Sequence, residues 1–322
     1  MAPLVKALQV KFLRKDGEKH IYGGDSVDKD WSIIAIPQGG YTVGLVVEAA
    51  LALQRHTLHK NIVHVSTHFL RVVTLDPFEV HIQVKFSAKN NTILAAELIQ
   101  KDKTKLMSHL IFKASPINSN PELTLLPPSP LARQIPLRIH PSAMSLKPIR
   151  GVRHHELAHW AEDPSFAESN LAKFKARAPG GEGVIEWGAW VQFIDPSEYI
   201  KESTLPFLAD TVQNLPVLLP EAMGRLNVGW CPTMVLSVEY KSKLLNDDSI
   251  SKRTVGIYAR STFMHEGRHD VYAEVWTAPC NVGEGIEVED WREKQVCLAI
   301  GQQVALTLPP GVNERKGREA KL

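Results

Sequence analysis

The chain has 322 residues, 44% of them hydrophobic and 22% charged, with a formal net charge of +2. That length allows one large domain or two of ordinary size, and the composition excludes a disordered class. The near-balanced, scattered charge excludes a nucleic-acid groove, and three cysteines without Cys-x-x-Cys spacing (Cys231, Cys280, Cys297) fit free thiols in a reducing compartment.

Residues 1–15 contain Lys6, Lys11, Arg14 and Lys15 and no continuous apolar core, so no secretory signal is expected. A breaker cluster at 37–40 leads into an apolar helix predicted over 41–55. Its most apolar part, 42–53, is too short to span a bilayer and contains Glu48; it reads as a buried core helix. Strands are predicted over 62–73, 78–88, 92–100 and 106–113, with turn signals at Asn90-Asn91 and 101–103. Residues 117–150, rich in proline, read as an extended linker.

The same order then returns. An apolar helical stretch over 205–223, interrupted near Pro216 and Pro220, precedes strands predicted over 233–241, 254–264, 270–277 and 294–308. A helix with one very apolar face is buried only where a curved sheet wraps around it. The expected fold is therefore α+β: a double hotdog, two helices each wrapped by an antiparallel sheet, with the sheets joined into one. The expected boundaries are 1–116 for the N-terminal hotdog, 117–150 for the linker, 151–310 for the C-terminal hotdog and 311–322 for a flexible tail. Ala320-Lys321-Leu322 is a close variant of the Ser-Lys-Leu address, which predicts peroxisomal localisation through the import receptor.

Some signals are weaker than they look. His155-Glu156-Leu157-Ala158-His159 fits a zinc-protease pattern, yet Glu162 stands where the continuation needs glycine and no third histidine follows at the required spacing. A serine nucleophile in Gly-x-Ser-x-Gly is absent. Cys231, beside Pro232, reads as a buried structural thiol near a pocket.

Several short motifs occur in one order between Trp31 and Leu308: Gln38-Gly39-Gly40, His68-Phe69-Leu70-Arg71, Ala209-Asp210, Thr233, and Leu298-Ala299 followed by Gln302-Gln303. In that order they resemble the acyl-CoA thioesterase II family, including its fungal thioesterase-like relatives. The resemblance implies hydrolysis of an acyl-CoA to a free acid and CoA. It also implies that Asp210, Thr233 and Gln303 jointly hold the attacking water. Gln302 faces the opposite side of its strand, and Gln303 keeps the family's spacing from Leu298-Ala299. Met234, Val235 and Leu236 follow Thr233 where the family often has an acidic residue and a histidine, which makes the pocket more apolar.

The chemistry of the residue types agrees. A carboxylate accepts a proton from water, a hydroxyl and an amide orient that water, and Gly39 and Gly40 let helix N–H groups approach the thioester carbonyl. Tyr41 is expected beside them on the substrate. In the first block Tyr41, Ile62 and Ile111 stand against Asp210, Thr233 and Gln303, so a second site there should be dead. No cofactor or metal is expected. A specialised acyl thioester of a biosynthetic pathway is one substrate option, and homo-oligomers stay open. The competing reading is a non-catalytic acyl-CoA-binding double hotdog. A hydratase is a minor one, because Asn214 but no histidine follows Asp210.

Overall fold

The structure is a computed structural model and describes residues 1–114, 125, 127, 129–176, 183–220, 227–244 and 249–319. The first half comprises α1 (Leu4–Ala7), β1 (Lys11–Asp16), β2 (Lys19–Gly24), β3 (Ser32–Ile33), β4 (Ile36–Pro37), α2 (Gly39–Gln54), β5 (Asn61–Phe69), β6 (Phe78–Ser87), β7 (Asn91–Gln100) and β8 (Lys103–Lys113). The second comprises β9 (Lys147–Pro148), β10 (Ala158–Glu162), α3 (Pro164–Ala176), β11 (Ile185–Phe193), α4 (Leu205–Ala209), β12 (Thr233–Tyr240), β13 (Thr254–Ser261), β14 (Met264–His265), β15 (Arg268–Thr277), β16 (Cys297–Leu306) and α5 (Val312–Glu319).

Among the described residues fourteen strands form one sheet, in the order β1-β2-β6-β7-β8-β5-β12-β16-β15-β13-β11-β10-β9 with β14 on β15. Consecutive partners are antiparallel, and β5 against β12 joins the two halves. The fold is the expected double hotdog. In α2, Tyr41, Val43, Leu45, Val46, Val47, Ala49 and Ala50 are fully buried. A helix apolar on nearly every side needs a sheet around it rather than a neighbour on one face. Glu48 is tolerated there because Lys201 Nζ (2.9 Å) and Ser203 Oγ (2.5 Å) both donate to it.

A pseudo-twofold axis passes the β5–β12 junction, where Ser237 donates to Ser66 across 171 residues of sequence. Both strands carry a bulge at matching places, between Ile62 and His64 and between Thr233 and Val235. The register then corrects one expected pair. Gln303 lies opposite Leu236, and Leu110 opposite the matching Val65. The counterpart of Gln303 is therefore buried Leu110, not Ile111.

Four other expectations change. Of the interrupted helical stretch predicted over 205–223, residues 221–223 lie outside the described residues, and the described ones form one α-helix of five residues that ends at Ala209, with Asp210 as its C-cap. There the Thr211 hydroxyl takes the Phe207 carbonyl at 2.7 Å, and Pro216 then permits only a short 3-10 turn. The stretch assigned to a linker contributes to the second half, since buried Ile135 and Leu137 pack with Trp190, Tyr258 and Trp291. The tail is not loose throughout, because α5 seats buried Gly317 against Ala35. The hairpin β1–β2 was not expected: every residue of β1 is exposed, so it shows no apolar alternation to read.

The zinc pattern does not form one helix. Arg153–Glu156 is a 3-10 turn and His159 lies in β10, so His155 and His159 do not share a helical face. Ala320, Lys321 and Leu322 lie outside the described residues.

Candidate active site

The N-terminus of α2 meets the C-terminus of α4, and Gln38 ties the two. Its Oε1 caps α2 by accepting the Tyr41 N–H at 2.9 Å. Its Nε2 donates to the Phe207 carbonyl (3.2 Å) and to Thr211 Oγ1 (3.3 Å). The helices approach so closely at Gly40 that a Cβ there would overlap the Pro206 carbonyl. That approach brings the Asp210 carboxylate onto the first turn of α2, where the Gly40 N–H donates to Asp210 Oδ2 at 2.7 Å. A helix N-terminus is a favourable place for an anion.

The bulge in β12 and the inward face of β16 bring two more groups to the same point. The Thr233 hydroxyl lies 3.5 Å from Asp210 Oδ1 and 3.2 Å from Gln303 Oε1. Having one proton, it donates to one of them at a time. Both distances are long for O–H···O bonds, so neither partner holds the hydroxyl tightly. Gln303 is 6% exposed and Gln302 faces solvent, which makes Gln303 the member that meets Thr233. Burial pushes the Asp210 carboxyl up to about 6, against the opposing pull of the Gly40 N–H and of the Gln303 and Thr233 side chains. It is thus largely ionised, and basic, at neutral pH.

A cavity of about 210 Å³ opens on this trio, walled by apolar side chains including Ile36, Phe69, Val73, Leu215, Trp230 and Val271. On the other side of Asp210 lies a second, of about 190 Å³, whose lining includes Gln38, Arg150, His154 and Asn214. Asp210 borders both. The wall between them includes Trp230 and Cys231, in a segment fixed by paired backbone bonds between Trp230 and Leu308.

The structure therefore brings together Asp210, Thr233, Gln303, Gly39 and Gly40, with two corrections. Tyr41 does not reach the cavity: it is fully buried, and its hydroxyl accepts from the Asp28 N–H (3.1 Å) and donates to the Ala7 carbonyl (3.0 Å). The Gly40 N–H is spent on Asp210, whereas Gly39, whose N–H has no bond to the described residues, lines the cavity. The Cys231 thiol also lines it and stays protonated, since burial pushes it up to about 12. Sequence reasoning missed His269 and Asn313, which line the same cavity from β15 and α5. Neither sits in a motif, so no local signal marked them.

Residues 27–114 match the family model of the acyl-CoA thioesterase N-terminal domain. No curated protein matches the chain. Among solved structures, a putative thioesterase II from Thermobifida fusca YX is similar at 17% identity and TM-score 0.66, over 94% of this chain and 97% of that one. A conserved protein of unknown function with a hot dog fold from Alicyclobacillus acidocaldarius is similar at 15% identity and TM-score 0.67, over 95% and 98%. An acyl-CoA thioesterase II from Mycobacterium marinum is similar at 12% identity and TM-score 0.63, over 96% and 99%. The double hotdog fold is therefore shared along essentially the whole chain, and the match of residues 27–114 to the acyl-CoA thioesterase N-terminal domain is what supports a thioesterase enzyme.

Proposed function

We propose that the chain hydrolyses an acyl-CoA thioester to a free acid and CoA, with Asp210 as general base. The observation that carries this reading is a half-buried carboxylate within reach of a hydroxyl and an amide, where an apolar cavity meets a more polar one. The apolar cavity takes the acyl chain. The other takes the pantetheine arm, with Arg150 at the surface toward the phosphates. A water held by Thr233 and Gln303 gives a proton to Asp210 as its oxygen bonds to the thioester carbon. The Gly39 N–H, at the positive end of α2, faces the oxyanion that develops. When the C–S bond breaks, Asp210 returns the proton to the departing sulfur, so atoms and charge balance without a covalent acyl-enzyme.

Thiol release from a panel of acyl-CoA chain lengths, followed with a thiol-reactive dye, tests this. Turnover should fall as pH drops through about 6, because protonation removes the base. No release above the uncatalysed rate across the panel would leave the acyl-CoA-binding reading in its place.

The proposal extends to a specialised acyl group in a biosynthetic setting and to peroxisomal import. The tripeptide Ala320-Lys321-Leu322 supports import. A fluorescent protein carrying the intact tail at its own C-terminus should appear in puncta and become cytosolic when Leu322 is deleted. A diffuse signal from the intact fusion, in cells with working import, would refute it.

A further inference from the structure

Beyond the polar cavity lies a third, of about 440 Å³, along residues 148–155. The two adjoin, since Ile34, Ile149, Arg150, Gly151 and Val152 line both. Asp210 does not border the third, which adds Arg153 and His155 and is walled mostly by exposed residues. The segment that shapes it carries the zinc-like pattern and is held in place. His154 is 2% exposed, stacked on Trp31 (ring centroids 5.4 Å) and edge-on to Phe207 (5.3 Å). His155 Nδ1 meets the Val152 carbonyl at 3.0 Å, and Gly151 turns the chain at a φ of +78°. Arg153 Nε donates to the Ile34 carbonyl at 2.6 Å. Ile34 itself has a φ of +57°, a strained value for a β-branched residue. Such backbone persists only where its surroundings hold it, and it concentrates at ligand sites.

The charges on this wall are one-sided. Arg14, Arg133 and Arg253 each face a glutamate, at 2.6, 2.9 and 3.6 Å. Arg150 and Arg153 form no ion pair among the described residues, and the terminal nitrogens of Arg153 make no hydrogen bond to them. The carboxylate on the segment, Glu156, meets only His155 Nε2, at 3.9 Å. Two forked guanidinium groups beside one cavity suit phosphate oxygens, which they bind two at a time. Given the thioesterase reading, on which the path through the polar cavity rests, we infer that this third cavity binds the phosphorylated nucleotide of CoA, with Arg150 and Arg153 gripping its phosphates. The enzyme then recognises CoA itself and not the pantetheine arm alone, so the same acyl group on bare pantetheine is a poorer substrate.

The test places one acyl chain on three carriers: CoA, 3′-dephospho-CoA and pantetheine. From the first to the last, kcat/KM should fall by about tenfold to a hundredfold, the scale of a charge-assisted hydrogen bond or two. The loss should sit in KM with kcat kept, because contacts so far from the thioester are the same in ground and transition states. Arg150→Gln and Arg153→Gln should each weaken the CoA thioester and leave the pantetheine thioester unchanged, and the double variant should treat all three carriers alike. Added salt should act on wild type as the substitutions do. Equal kcat/KM for the three carriers in wild type overturns the proposal, and so does a preference that survives in the folded double variant. A preference lost in Arg71→Gln instead would put the phosphates at the other cavity and overturn it too. Arg153 also holds the Ile34 turn, so if its variants do not fold, Arg150→Gln and the carrier panel decide. Failure of the thioesterase reading looks different, because no carrier is then hydrolysed. Calorimetry with free CoA and pantetheine settles that case: binding of CoA alone, lost in the Arg150 variant, retains the site, and binding of neither overturns it.

Discussion

Asp210→Asn is expected to slow turnover of a good acyl-CoA by about a hundredfold to ten-thousandfold, the usual range for removing a general base. KM should move little, because the lost interaction serves the transition state. Gln303→Ala and Thr233→Ala should each cost less, since each removes one bond to the water while Asp210 remains. Gln302→Ala, on the solvent face, should cost nothing. The same substitution of Asp210 has a stability consequence of opposite sign. The carboxyl rises from 3.8 to about 6 on folding, so its ionised form opposes the fold. Its contribution is fully present below pH 3.8 and is lost as pH rises through about 6, which makes the charged group a burden of about 3 kcal/mol at pH 7. Asparagine carries no such charge. Asp210→Asn should therefore melt higher than wild type at pH 7.5, with the gap closing toward pH 4. Wild-type turnover in the folded variant would falsify the base assignment. A melting difference that does not change with pH would show that burial of the charge is not what raises this carboxyl.

Gly40→Ala should lose both stability and activity. Its new Cβ would overlap the Pro206 carbonyl and lie 2.7 Å from Asp210 Cβ. Backbone atoms of a packed helix cannot yield cheaply, so α2 and α4 must part. Alanine gains about 1 kcal/mol in helix propensity over glycine, but overpacking of this kind typically costs about 1–3 kcal/mol and occasionally more. With the overlap falling on backbone atoms, which puts the cost at the upper end of that range, the net destabilisation should be about 2 kcal/mol. Parting the helices also draws the Gly40 N–H away from Asp210. A displacement of about 1 Å at the catalytic base is enough for a hundredfold loss of turnover. Gly39→Ala is the informative contrast: its Cβ would meet Asp210 Oδ2 at 3.1 Å and the Phe69 ring at 3.3 Å, neighbours that can shift by tenths of an ångström. It should melt within about 1 kcal/mol of wild type yet turn over more slowly, because it presses on the carboxylate. Melting curves and turnover for both variants decide this. Equal stability of Gly40→Ala and wild type would mean that the two helix ends are not held together as described.

The repeated order of one apolar helix followed by an antiparallel meander was legible in the residues, because burial periodicity is a local property and α2 is apolar on nearly every side. Asp210, Thr233 and Gln303 were legible as a set through the resemblance of the ordered motifs to the acyl-CoA thioesterase II family, since each residue alone also fits a cap, a strand or a solvated role. Other features depend on relations that local patterns do not contain. A bulge adds one residue to a strand without altering its composition, and a shift of one residue exchanges the inward and outward faces; that is why Leu110 rather than Ile111 stands against Gln303. Tyr41 follows the two glycines in sequence, yet helical geometry turns it to Asp28 and Ala7, away from the cavity. Gly40 and Asp210 are 170 residues apart, and only the packing of two helix ends uses the N–H of one to hold the carboxylate of the other. His269 and Asn313 reach the cavity beside Asp210 from a distant strand and the last helix. Composition and periodicity determined which layers form; the docking of those layers decided which polar groups face the substrate, because hydrogen-bond partners so far apart in the chain are chosen by tertiary contact alone.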